Sequence, residues 1–129
     1  MTTTDSTAKT TRIAVPSEAP GGLTARRSGH FGRCACFTVV EVVNGEITAV
    51  DVVENYAHEE GGCMRPVLLL AENTVDAIVV DGIGGRPLMG FNQVGIAVHA
   101  GHGDDVQSAV AAYIEGALPE LGLEGACHH

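Results

Sequence analysis

Tryptophan is absent from this chain, and aromatic residues make up only 4% of it. A core without large rings must be filled by Val, Ile, Leu and Ala, and β-branched residues favour strands. Positive charge is also scarce: seven Lys and Arg stand against sixteen Asp and Glu, a formal net charge of −9. That balance argues against nucleic-acid binding, because phosphate backbones are held by clustered cations. No run is long and apolar enough to span a bilayer, and the Thr-rich start lacks the apolar stretch of a signal peptide. Without an export signal, the four cysteines read as thiols, redox centres or ligands of a cytoplasmic protein, not as a disulfide scaffold. Catalytic arrangements are thin as well. No carboxylate cluster suits two-metal chemistry, no elbow surrounds Ser17 or Ser28, and no acid–base pair stands out. The expectation is a protein that is not an enzyme.

The 129 residues suffice for one domain with its own core. Residues 1–11 read as a disordered leader, 12–118 as an α/β domain and 119–129, which holds Cys127, as a flexible tail. Arg12–Pro16 reads as a short strand. Two β-branched runs, Phe37–Val43 and Glu46–Glu54, flank Asn44-Gly45, the strongest short hairpin signal. A helix follows from Pro66 to about Asn73, a strand over Val75–Val80, a short helix over Pro87–Asn92 and a strand over Gly95–His99. Asp104 is placed to cap a last helix reaching about Gly116. This order predicts a mixed, mostly parallel five-stranded sheet with helices on its faces. The first strand of the hairpin is its antiparallel member.

In such a sheet the carboxyl ends of the parallel strands form the ligand edge. The loop before Cys34, the loop 55–62, the turn 82–85 and the turn 99–103 all fall there. So does every internal Cys and His. Cys34 and Cys36, spaced by two at a strand entry, are expected on one face, where both thiols reach one metal or cluster. Cys63, before a helix N-terminus and near Arg65, favours the thiolate. Taken singly, each cysteine is as readily a small buried hydrophobe; three at one rim suit a soft metal or an iron–sulfur unit. His30, His58, His99 and His102 sit in or beside glycine loops, and His30 ranks first among them as a ligand. The turn through Gly84 and Gly85 opens a helix after a strand, so its backbone N–H groups are placed to cradle an anion. It is neither G-x-G-x-x-G nor a Walker loop, which argues against a nucleotide; a tightly packed turn is the plainer reading.

Arg12-Ile13-Ala14-Val15-Pro16 followed by Ser28-Gly29-His30-Phe31-Gly32-Arg33 resembles the dinitrogenase iron–molybdenum cofactor-binding family. The Asn44-Gly45 hairpin, the Gly82–Gly85 turn and Ala109–Gly116 extend the likeness across most of the chain. The resemblance implies a three-layer α/β/α ribonuclease H-like fold around a five-stranded mixed sheet. It also implies that the protein carries or protects a metal–sulfur cluster of iron–sulfur, iron–molybdenum or molybdenum–copper type, with His30 in the cofactor-binding role beside Arg33. Family members often carry Ala-Pro-Tyr-Phe where this chain has Cys34-Ala35-Cys36-Phe37, which points to a ligand set of its own.

The leading expectation is therefore a metallocluster carrier, monomeric or homodimeric, with Cys34, Cys36, Cys63, His30 and His58 as metal ligands. Its partners would be an apo-protein acceptor or cluster-assembly proteins, not nucleic acid or membrane. Alternatives are a copper or zinc metallochaperone or sensor, and a thiol redox protein using Cys34 and Cys36.

Overall fold

The computed structural model describes residues 10–28, 34–54, 64–81, 83, 85–101 and 103–121, with the side chains of 64–66 and 86 left out. Its strands are β1 (Thr10–Ser17), β2 (Cys36–Val43), β3 (Glu46–Glu54), β4 (Ala77–Val80), β5 (Ala97–Ala100) and β6 (Glu120–Leu121). The helices are α1 (Met64–Glu72), α2 (Gly85–Val94) and α3 (Val106–Ile114). They build one six-stranded sheet in the order β3-β2-β1-β4-β5-β6.

β1 pairs in parallel with β4, and β4 with β5. β2 runs antiparallel to both β1 and β3. Hence β1, β3, β4 and β5 point one way, and the first hairpin strand is reversed, as expected. The hairpin turn itself has Asn44 at φ 54° and Gly45 at φ 82°. Two successive positive φ angles match the twist of the flanking strands, and Asn and Gly are the residues that tolerate them.

Alternation along the inner strands divides the core in two. On one face Ala14, Phe37, Val39, Ile78, Val80 and Val98 meet Val67 and Leu70 of α1 and Leu88 and Phe91 of α2. On the other, Ile13, Val15, Val40, Val42 and Val79 meet Val106, Ala109 and Val110 of α3. Helices thus flank both faces. β3 forms an edge, largely exposed along its length, and Glu46, Asp51 and Glu54 give it the charge that discourages further pairing. At the far end of the sheet, Arg12 ties three segments together. Its Nη1 meets Glu41 at 2.7 Å, its Nε donates to the Asn73 carbonyl at 3.0 Å, and its N–H donates to Asp76 at 2.9 Å.

Several expectations are corrected. The sheet has six strands, not five: β6 lies antiparallel to β5, with Val98 opposite Leu121 and His99 opposite Glu120. Two residues carry no periodic signal, and this strand is made by tertiary contact: Leu121 packs against the α1–α2 core and the Pro119 carbonyl accepts the Ala100 N–H. Residues 120–121 therefore belong to the sheet, not to a tail beginning at 119. β1 starts at Thr10, inside the segment read as leader, because β2 continues to Val43 and offers Thr10 and Thr11 partners. The cap of α3 is Asp105, not Asp104; its carboxylate accepts the Ser108 N–H at 2.8 Å.

Candidate functional site

The carboxyl ends of β1, β3, β4 and β5 share one edge with the start of β2, where Ser17, Cys36 and Glu54 lie side by side in register. Each helix follows a strand that ends at this edge, so α1, α2 and α3 all begin there. Helix N-termini present unpaired N–H groups and partial positive charge. No first turn of the three holds an acidic residue. Arg65 and Arg86 are the second residues of α1 and α2, each followed by proline, which suits a first helical turn.

The segment 18–28 is fastened along the same edge. Glu18 and Ser28 N–H groups donate to the Arg26 and Pro16 carbonyls at 3.0 and 2.8 Å. The Val106 and Gln107 N–H groups at the start of α3 donate to Ala25 and Leu23 at 3.0 and 2.9 Å. Below it, the hydroxyls of Ser17 and Thr38, both fully buried, are 2.8 Å apart, and Thr38 Oγ1 also accepts the Gly22 N–H at 3.0 Å. Polar groups in such a place need these partners.

Arg27 is the residue this loop delivers to the edge. Its side chain is only 6% exposed. Nη1 donates to the Gly103 carbonyl at 2.6 Å, Nη2 pairs with the Asp81 carboxylate, and its N–H donates to the Asp104 carbonyl at 3.0 Å. Nε is buried with no acceptor among the described residues. A Cβ built on Gly101 would overlap Nη2 and stand 3.1 Å from Val79 Cγ1, so the guanidinium needs glycine there. Asp81 follows β4 and Gly101 follows β5, so Arg27 bridges the exits of two adjacent parallel strands. Sequence reasoning passed over Arg27; the available signal was an Arg26-Arg27 pair in a chain with few cations.

The two thiols expected on one face do not share it. Cys34 lies one residue short of β2, where strand alternation does not yet apply, and it packs with Phe37 and Val39 in the α1–α2 core. Cys36, on the α3 side with Ser17 and Thr38, aims its Sγ at the Ser17 and Glu18 carbonyls, 3.8 and 3.9 Å away. Both are buried. Burial first, and the Glu54 carboxylate second, push the Cys36 thiol above its ordinary pKa. Gly85 opens α2, and nothing lies within 4 Å of where its Cβ would be, so no close backbone approach requires it. His99 lies in β5 with Nδ1 3.2 Å from the Leu118 carbonyl and its ring edge-on to Tyr113, with centroids 4.9 Å apart. His30, Arg33, His58, Cys63, Gly84, His102 and Cys127 lie outside the described residues. Among the described residues no three His, Cys, Asp or Glu side chains are grouped to hold a metal ion.

Fold and edge together define a mixed α/β domain whose helix starts and a buried arginine share the carboxyl edge of the sheet. Residues 9–116 match the family profile described as dinitrogenase iron–molybdenum cofactor, and the chain belongs to that family. It is 34% identical over 115 residues to an uncharacterised protein of Methanocaldococcus jannaschii, covering 88% of this chain and 93% of that one. The apo form of the orange protein from Desulfovibrio gigas superposes with a TM-score of 0.76 at 28% identity, over 85% of this chain and 92% of its own. A Thermotoga protein provisionally designated NifB gives 0.70 at 28% identity, over 86% and 93%. Among the described residues no helix is long and apolar enough to cross a membrane.

Proposed function

We propose that this protein binds an anionic metal–sulfur cluster at the carboxyl edge of its sheet and carries or protects it, without turning it over. The observation that supports this reading most is the convergence of the starts of α1 and α2 and the buried Arg27 on one edge, the start of α3 being capped by Asp105 and the 18–28 segment. Helix N–H groups and a fixed guanidinium favour an anion, and sulfide clusters of iron, molybdenum or copper are anionic cargo. Membership of a family named for the iron–molybdenum cofactor, and likeness to a protein provisionally designated NifB, support the same cargo class. The architecture reads as ribonuclease H-like.

The placement of Cys34 and Cys36 against opposite faces shifts the weight of binding from a C-x-C chelate to electrostatics. His30, His58 and Cys63 are the further ligand candidates, with Arg33 and Gly84 as candidate contacts to the cofactor. In this reading the protein is cytoplasmic and hands its cluster to an apo-protein acceptor or an assembly partner.

Anaerobic purification followed by elemental analysis, acid-labile sulfide assay and an absorption spectrum tests the proposal. Coloured protein holding iron, molybdenum or copper together with sulfide is expected. Colourless protein that also fails to take up tetrathiomolybdate overturns it.

A further inference from the structure

We propose that Arg27 is an anion-binding residue of the ligand edge, and that the Asp81 carboxylate competes with the cargo for its guanidinium. The inference rests on the edge being the cargo site. The two partners of the ion pair are unequal: the Arg27 side chain is 6% exposed and that of Asp81 is 51% exposed. A cation removed from water needs a counter-charge, and one left alone is costly. Here the cation is fixed by the Gly103 carbonyl and by the residue's own backbone bond to Asp104, in the space that the lack of a Cβ at Gly101 leaves. Its counter-charge sits on a surface side chain with freedom to leave. A fixed buried cation with a movable surface carboxylate is an exchangeable pair: an incoming anion replaces Asp81 at little cost to the guanidinium.

Nε adds a second, independent indication. It is a buried donor with no acceptor among the described residues, on a group whose planar fork suits an anion with two or more acceptor atoms. A strut needs only the contacts already made by Nη1 and Nη2. The spare donor and the exposed partner go beyond that role.

Titration of the full chain with tetrathiomolybdate, and separately with molybdate, tests the inference on Asp81→Asn, Arg27→Lys and Arg27→Gln, with Tm measured alongside. Asp81→Asn is expected to bind tetrathiomolybdate about threefold or more tighter, since the competing carboxylate is gone. Arg27→Gln is expected to bind about tenfold or more weaker, with Arg27→Lys between. The Arg27 Nε–H resonance should shift on anion addition. Should the variants lower Tm but leave affinity unchanged, or should Asp81→Asn bind more weakly, Arg27 is a strut and the inference falls. Where Arg27→Gln does not fold, the direction of the Asp81→Asn effect decides alone. Arg27-dependent binding of molybdate without tetrathiomolybdate keeps the anion residue and overturns the metal–sulfur reading. Binding of neither anion overturns both.

Discussion

Cys34 packs in the core beneath α1 and α2, whereas Cys36, one residue further along than its neighbour Ala35, aims its thiol at the Ser17 and Glu18 carbonyls on the opposite face. A disulfide needs Cβ vectors that converge, and these two diverge. In a Cys63→Ser, Cys127→Ser background, mild oxidation of the folded protein should leave both thiols reduced, as read by intact mass and peptide mapping. A native-state Cys34–Cys36 disulfide would show the placement of Cys34 to be wrong, and would revive a redox role for the pair.

The thiol of Cys36 should alkylate at higher pH than an ordinary cysteine, because burial and then Glu54 disfavour its thiolate. The sign for stability follows. A folded-state pKa raised above the unfolded one gives stability that is complete below the unfolded value and is lost as pH rises through the folded value. Glu54→Gln removes the smaller cause, so it should bring the alkylation midpoint down only in part. Rate against pH with iodoacetamide, followed by mass spectrometry, measures it. An unchanged midpoint would remove Glu54 from the account.

The hairpin, the strand directions and the shared carboxyl edge were legible because each has a local signal. Asn44-Gly45 fixes a turn by positive φ, and the alternation of strands with helix starts after Glu54, Val80 and Ala100 fixes the parallel frame. β6 was not legible, since Glu120 and Leu121 are strand only by virtue of their pairing with His99 and Val98. The C-x-C was misread for a related reason. Spacing of two implies a shared face only inside a strand, and β2 begins at Cys36 itself. Arg27 was marked only by the Arg26-Arg27 pair, and its role was not legible because its partners, Asp81 and Gly103, lie 54 and 76 residues away. Long-range pairing of this kind leaves no periodicity to read.

Phe91 is fully buried in a core with few rings, and its carbonyl accepts the Ile96 N–H at 2.9 Å where the chain turns from α2 to β5. Phe91→Ala removes most of the side chain and leaves a cavity between α2 and the sheet. It should lower unfolding free energy by about 3–5 kcal/mol, while Phe91→Leu should cost less than about 1.5 kcal/mol. Urea denaturation followed by circular dichroism gives both values. Equal losses would mean that volume at this position is not what holds α2 to the sheet.

Asp105 caps α3 and at the same time pairs across to Arg26, while the next two N–H groups hold Ala25 and Leu23. The cap therefore anchors both the helix and the loop that carries Arg27. Its hydrogen bonds from Ser108 hold the Asp105 carboxyl below the usual carboxylate range. A lowered folded-state pKa gives stability that is present above the unfolded value and is lost as pH falls through the folded one. Asp105→Ala should lower Tm at neutral pH and flatten the acid limb of the Tm profile, because the group that titrates there is gone. Asp105→Asn should keep most of the Tm, since its amide oxygen still accepts the Ser108 N–H, yet flatten the same limb. Hydrogen exchange at Val106 and Gln107 should quicken in the alanine variant and not in the asparagine one. Equal exchange in the two would separate the cap from the loop that positions the arginine.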